Sequence, residues 1–351
     1  MAEPQNGNID ESTFIRRVLI LIALVGCALI LWQLRYVLVL LFGTVLVATI
    51  IRAIADPVSK HLRLPEGISV ALSVLAIVGL VGGTIWLVDA QVSAQSQHLA
   101  DAIPKAIAMV DNWLAGFGLG HPLQSWLSRM HSGNGAIISH FGGWLSSLTF
   151  GLTSILILFF GGIFLASQPR FYGIGAIKLL PTEKRSLIAE AMLDSENALR
   201  LWLKGQVIAM AVIGLLTWIG FLIIGVPSAL VLAIMAGVLE FIPYAGPIAS
   251  AVPAVLVALV QSPELAVWTV VMYVIVHHVE AYVLQPLVQQ YAVDVPAVVM
   301  LFSLLAFGML FGLIGVLFAA PMAVVAYVMV KRLYVVEALQ TPTPIPGEKK
   351  S

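Results

Sequence analysis

The chain has 351 residues, 60% of them hydrophobic and only 10% charged, with a mean hydropathy of +1.01. A soluble domain carries about 25% charged and about 45–50% apolar residues, so one buried core cannot absorb this excess and the surface must dissolve in lipid. That excludes a cytosolic enzyme, a secreted disulfide scaffold and a disordered protein. Basic and acidic residues balance at 18 each, which argues against a nucleic-acid partner. Cys27 is the only cysteine, so intrachain disulfides and cysteine-based zinc or iron–sulfur sites are excluded.

A membrane-spanning helix needs about 20 apolar residues. Residues 1–17 read as a polar tail. Residues 18–88 hold three apolar runs, at 18–34, 36–54 and 68–88. Residues 89–141 form a polar stretch rich in Gln, Ser, His and Gly. Residues 142–166 supply a fourth span. Residues 167–204 carry much of the charge. Residues 205–332 hold apolar runs at 205–225, 229–242, 248–260, 265–284, 297–312 and 313–330, and residues 333–351 close the chain as a second tail. The expected fold is an all-α integral membrane protein with about eight transmembrane helices, including short or re-entrant helical hairpins in the C-terminal half.

Basic residues orient the chain. With the N-terminus cytoplasmic, only Arg35, Lys105 and Arg129 of the 18 Lys and Arg residues fall outside. This is a strong positive-inside pattern. It places both tails and 167–204 in the cytoplasm and 89–141 on the outer side. Arg16, Arg17 and the run Leu24-Val25-Gly26-Cys27 imitate a lipoprotein signal, but the apolar run continues through Trp32, so the first helix reads as retained.

In 167–204, Leu187, Ile188, Met192, Leu199, Trp202 and Leu203 recur at near-helical spacing, with charges on the other faces. This is an amphipathic helix on the membrane or the bundle; the alternative is a docking surface for a soluble partner. The outer histidines His98, His121, His131 and His140 are scattered, and no metal site is expected among them.

The stretch 205–330 contains no Lys or Arg, yet it holds Glu240, Glu264, Glu280, Asp294 and the pair His277-His278. Glu264 reads as a charge in the turn Gln261-Ser262-Pro263-Glu264. Asp294 reads either as a helix cap or as a functional group. A charged carboxylate facing lipid at mid-bilayer costs about 2.5–3.5 kcal/mol or more. Glu240 and Glu280 must therefore face a water-filled cavity, stay protonated, bind a cation or reach the interface. Tyr273, His277 and Glu280 share one helix face at i, i+4 and i+7. His278, Tyr282 and Gln285 form the neighbouring face. A histidine beside a carboxylate suits proton relay near neutral pH, or a simple satisfied pair.

Breakers divide this half. Runs of about 14 residues rise roughly 21 Å, short of a roughly 30 Å hydrocarbon core. The two runs flanking Pro243-Tyr244-Ala245-Gly246-Pro247 therefore read as a hairpin with an irregular tip. Irregular backbone at membrane depth survives only where protein or water covers it, as in transporter sites. A weak internal repeat accompanies it. Val226-Pro227 precedes Gly246 and Pro253, and Val295-Pro296 precedes Gly315 and Pro321, with equal proline-to-glycine spacing. One long helix plus one hairpin, used twice, would form an inverted repeat.

No phosphate-binding loop, nucleophile elbow, zinc-protease helix or dinucleotide fingerprint occurs. The chain therefore reads as a non-enzyme without a cofactor or resident metal. Small-residue pairs such as Gly79 with Gly83 and Gly308 with Gly312 let helices approach closely and fit a homo-oligomer as well as ordinary packing.

Residues 225–259 and 277–324 resemble the autoinducer-2 exporter (AI-2E) family of bacterial permeases. The resemblance is most specific at residues 241–247, Pro253, 280–286, Gly308, Gly312, Gly315 and Pro321, with Lys204-Gly205-Gln206 also fitting. It implies a bacterial inner-membrane permease of about eight segments. Members are associated with export of autoinducer-2, with sodium or lithium/proton antiport, or with other small anions. His277-His278 departs from the family pattern.

The reading is a multi-pass secondary transporter or exporter of a small polar solute, coupled to H⁺ or Na⁺, with lipid and the solute as its partners. Its pathway residues are Glu240, Pro243, Tyr244, Gly246, Pro247, His277, Glu280, Gln285 and Asp294. The alternative is a non-transporting membrane scaffold for envelope assembly, with partner contacts made by 89–141.

Overall fold

The computed structural model describes residues 11–86, 111–112, 115–116, 153–285 and 295–344. The outer stretch with its histidines, the start of the fourth span, Asp294 and both chain ends lie outside the described residues. Every regular element among those described is a helix. Helix α1 is Glu11–Gln33, α2 is Arg35–Leu62 and α3 is Glu66–Trp86. Helix α4, Thr153–Ser167, bends by 90° into α5, Pro169–Lys178. After a short 3-10 turn come α6 (Arg185–Ile224), α7 (Ala229–Leu239), α8 (Ala245–Gln261), α9 (Pro263–Val279) and α10 (Ala297–Val330). Among the described residues six helices are long and apolar enough to cross a membrane, or seven if the bent pair counts as one span. With the shorter apolar helices α7 and α8, this is the expected all-α membrane protein with short helical hairpins in its C-terminal half. The protein is a multi-pass membrane protein.

Glycines let α2 and α4 touch. A Cβ on Gly43 would lie 2.6 Å from a Leu158 methyl, and one on Gly161 would lie 2.8 Å from the Thr44 methyl. Close backbone approach through small residues is how helices pack where lipid gives no hydrophobic drive.

Helix α6 runs unbroken for 40 residues, roughly 60 Å at 1.5 Å per residue. The predicted boundary between 204 and 205 therefore falls inside one helix. Its first half packs on the bundle. Ala198, Leu199, Trp202 and Leu203 are buried against Val39 and Leu46 of α2 and Phe318, Val324 and Val328 of α10. Its polar face is tied down by charge. Arg200 Nη1 lies 2.7 Å from Asp56 Oδ2, and Asp56 also receives Arg52 at 3.4 Å. Arg52 in addition reaches Glu66 at 3.3 Å and donates to the Ala166 carbonyl at 2.7 Å, joining α2, α3 and α4. Arg332 pairs with Glu190 and lies 3.7 Å from Asp194.

Gly225, at φ 77, ends α6. The chain then doubles back along it. A Cβ on Gly214 would lie 3.5 Å from the Ala233 carbonyl, one on Gly237 would lie 2.8 Å from the Met210 carbonyl, and Gln206 reaches Glu240. The hairpin of α7 and α8 thus descends beside α6 until its tip lies level with Gln206. The return is tight, because a Cβ on Gly246 would collide with the Leu239 carbonyl. Ser262 caps α9 by accepting from Leu265 N–H at 3.1 Å, with Pro263 in the first turn.

Helix α10 reverses in the same manner. Gly312 has φ 65 and ψ −146, a backbone outside any helix. A Cβ on Gly308 would meet Val316 at 2.9 Å, and one on Gly315 would collide with the Phe307 carbonyl. Residues so far apart along a straight helix could not touch. The chain folds back at Gly312, at the boundary between the predicted runs 297–312 and 313–330.

Candidate functional site

Helix α7 ends at Leu239 because the sequence turns to Pro243 and Pro247, whose rings lack a backbone donor. Glu240 is the capping residue, and its N–H still bonds the Ala236 carbonyl at 3.0 Å. Its own carbonyl has no helical partner and accepts instead from Gln206 Nε2 at 2.6 Å. Phe241 packs edge-on against Trp202 with ring centroids 5.8 Å apart. Two contacts from α6 therefore hold the break in place. At Tyr244 the backbone takes φ 64 and ψ −44. A tyrosine at positive φ is strained, and such strain persists only where packing fixes it.

Helix α9 brings the second carboxylate. Tyr273 donates to the Ser250 carbonyl of α8 at 3.1 Å and packs edge-on against Phe221 of α6 at 6.0 Å. These contacts lock three helices together. Two turns past Tyr273 the helix widens into a π turn, Glu280–Leu284, and Gln285 N–H bonds the Glu280 carbonyl. Single π turns inside α-helices recur at functional sites.

The two carboxyls meet. Glu240 and Glu280 interact electrostatically and within side-chain hydrogen-bonding reach. Glu240 is 3% exposed and Glu280 8%. Glu240 Oε2 is buried with no hydrogen-bond partner among the described residues. On the other side, Glu280 Oε2 lies 3.0 Å from His277 Nδ1. The His277 side chain is 53% exposed. A row of three ionisable groups thus leads from the buried interior to the protein surface.

The other expected residues fall into place around this row. Pro243, Tyr244, Gly246 and Pro247 form the break and its return, with Gly246 buried and Tyr244 exposed. Gln285 is exposed, and its backbone N–H bonds the Glu280 carbonyl. His278 points away, with Nδ1–H on the Val274 carbonyl at 2.7 Å and its ring near Tyr282. Asp294 lies outside the described residues. Sequence reasoning missed the carboxyl contact itself and the role of Gln206. It also missed Thr217, which is fully buried between Ile213 and Phe221, its hydroxyl unpartnered among the described residues. The signal for Gln206 was visible in Lys204-Gly205-Gln206, but nothing in the sequence paired it with Glu240.

What the site can do follows from its charges. Two carboxyls in contact repel when both are ionised, so they share a proton or hold a cation between them. No Lys or Arg occurs in 205–330 to neutralise them. Among the described residues no group of three or more His, Cys, Asp or Glu side chains is placed to hold a metal ion.

The chain is 27% identical over 315 residues to "Putative transport protein YueF" of Bacillus subtilis, covering 84% of this chain and 83% of that protein. It is 25% identical over 306 residues to "Putative transport protein YrrI" of the same organism, covering 82% and 85%. Similarity to "Putative permease PerM" of Escherichia coli is 27% over 152 residues, 43% of each chain. Residues 19–334 match the AI-2E family transporter description, and the chain belongs to that family.

Proposed function

We propose that the chain is a secondary transporter or exporter of a small solute, an autoinducer-2-like signal or another small polar molecule, driven by an H⁺ or Na⁺ gradient. It sits in the bacterial inner membrane with both termini in the cytoplasm. The solute path runs past the irregular tip between α7 and α8. Glu240 and Glu280 are the coupling groups. The observation that carries the reading is the contact of two buried carboxyls at a helix break in a stretch without a basic residue. Buried acids in membrane segments are costly, and they mark ion pathways where they persist. Broken helices with exposed backbone groups are the usual transporter binding site.

The test is flux in proteoliposomes holding the full chain. Internal pH and labelled autoinducer-2 are followed together under an imposed sodium or proton gradient. Gradient-driven flux that disappears in Glu280→Gln supports the coupled transporter. Gradient-independent flux that survives the substitution reduces both acids to structural groups.

A further inference from the structure

We propose that His277 is the proton port of the carboxyl pair, the group through which Glu240 and Glu280 exchange protons with water. The proposal rests on reading that pair as the coupling site, and it names the proton as the coupled ion.

The geometry supplies both ends of the path. Glu240 and Glu280 are sealed inside, and Glu240 Oε2 finds no partner among the described residues. Water must reach them through something. His277 Nδ1 touches Glu280 Oε2 at 3.0 Å while more than half of its side chain is exposed. His277 lies in the last turn of α9, seven residues before the end of the apolar span Pro263–Leu284. The tip of the hairpin is level with Gln206, where α6 passes from its charged half into its apolar half. The row of acids therefore opens near a water boundary.

The step balances with the groups present. His277 starts neutral, its Nδ1–H directed at the Glu280 carboxylate. Nε2 takes a proton from hydronium, releasing water, and the ring becomes imidazolium. The Nδ1 proton passes to Glu280 Oε2, which becomes a carboxylic acid. The ring is left neutral with its proton on Nε2, and exchange with water resets it. Glu280 then shares the proton with Glu240. Histidine is the side chain whose charge changes near neutral pH with little perturbation.

Few other titratable groups surround the path. Helix α6 offers the amide of Gln206 and, two residues before it, the exposed ammonium of Lys204. Helix α9 offers Tyr273, engaged with Ser250, and His278, engaged with Val274, beside Tyr282. The break offers Tyr244. Helices α7 and α8 carry no titratable side chain, and α10 carries only Tyr327. Tyr291 and Asp294 lie outside the described residues.

The experiment uses the full chain in lipid nanodiscs and no transport substrate. Infrared difference spectroscopy after a pH jump follows the carboxylic-acid carbonyl stretch. Glu280→Gln should remove part of this band and so assign it to the pair. In His277→Ala the band should appear about a hundredfold more slowly, the scale on which a positioned acid–base group speeds proton transfer, and added imidazole should restore the rate. His278→Ala should match wild type. Wild-type kinetics in His277→Ala would overturn the port. So would equal slowing in His278→Ala with no rescue by imidazole. If His277→Ala fails to fold, His277→Gln carries the same comparison. A band untouched by Glu280→Gln would overturn the carboxyl-pair reading itself, whatever His277 does.

Discussion

Glu240, at the end of the short helix α7, and Glu280, at the opening of a π turn in α9, face each other with less than a tenth of either residue exposed. Each reaches the other only because the chain is interrupted beside it. Groups that act as a unit are strongly non-additive when removed. Glu240→Gln and Glu280→Gln should each abolish most gradient-driven flux, and the double substitution should cost little more than either alone. Both single variants keep the size of the side chain and remove the repulsion between two carboxylates. They should fold, with a Tm in detergent at or above wild type at mildly alkaline pH. A Tm several degrees lower in both would mean that the acids hold the fold and not the ion.

Gly246 and Gly315 occupy corresponding places in the two reversals. A Cβ at either would strike a backbone carbonyl, of Leu239 or Phe307, and a backbone atom cannot move aside as a flexible side chain can. Overpacking of this kind costs about 1–3 kcal/mol. Gly246→Ala and Gly315→Ala should lower thermal stability measurably. Gly79→Ala and Gly82→Ala, where nothing among the described residues lies within 4 Å of the new Cβ, should leave it unchanged. Differential scanning fluorimetry on the four purified variants checks this.

Gly225 and Gly312 both have positive φ but different needs. Gly225 is at φ 77 and ψ 30, in the left-handed region that Asn also adopts. Gly312 is at φ 65 and ψ −146, a region open essentially to Gly alone. Gly225→Asn should therefore be nearly neutral, while Gly312→Asn should destabilise by about 1–3 kcal/mol. Space is no obstacle at either position, since nothing lies within 4 Å of a Cβ there. Equal effects at the two sites would contradict the backbone assignment.

Asp56 accepts from Arg52 and Arg200 at once and joins α2 to the charged half of α6. These groups are part-exposed, with about 29–32% of the Asp56 and Arg200 side chains open to solvent, so the attraction is screened. A double-mutant cycle on Asp56→Asn and Arg200→Gln should give a coupling of about 0.2–1 kcal/mol that shrinks as salt rises. Thermal stability at low and high salt reads it.

Tyr273 ties α9 to α8 through one hydroxyl. Tyr273→Phe keeps the edge-on contact with Phe221 and leaves the Ser250 carbonyl without that donor. A loss of about 1 kcal/mol is expected. The loss should leave the Glu240–Glu280 band in the infrared spectrum intact, because the hydroxyl makes no contact with either acid.

The membrane class, the all-helical fold, the breaks at 240–247 and 312 and the two acids were legible in the amino-acid sequence by itself. Each is local. Apolar run length, Pro and Gly punctuation and the cost of an acid in a stretch without Lys or Arg need no knowledge of neighbours. The sequence also marked 204–205 as a boundary, because hydropathy changes there. Only tertiary structure showed that one helix, α6, continues through that change, since a change of solvent does not break a helix whose backbone bonds are internal. Tertiary structure also decided which acid meets which. The pairing of Glu240 with Glu280, the Gln206 bond to the Glu240 carbonyl and the exposure of His277 depend on how far the α7–α8 hairpin descends beside α6. That depth is set by glycine contacts at Gly214 and Gly237 and by the Trp202–Phe241 packing. Such contacts join residues distant along the chain, and periodicity carries no record of them.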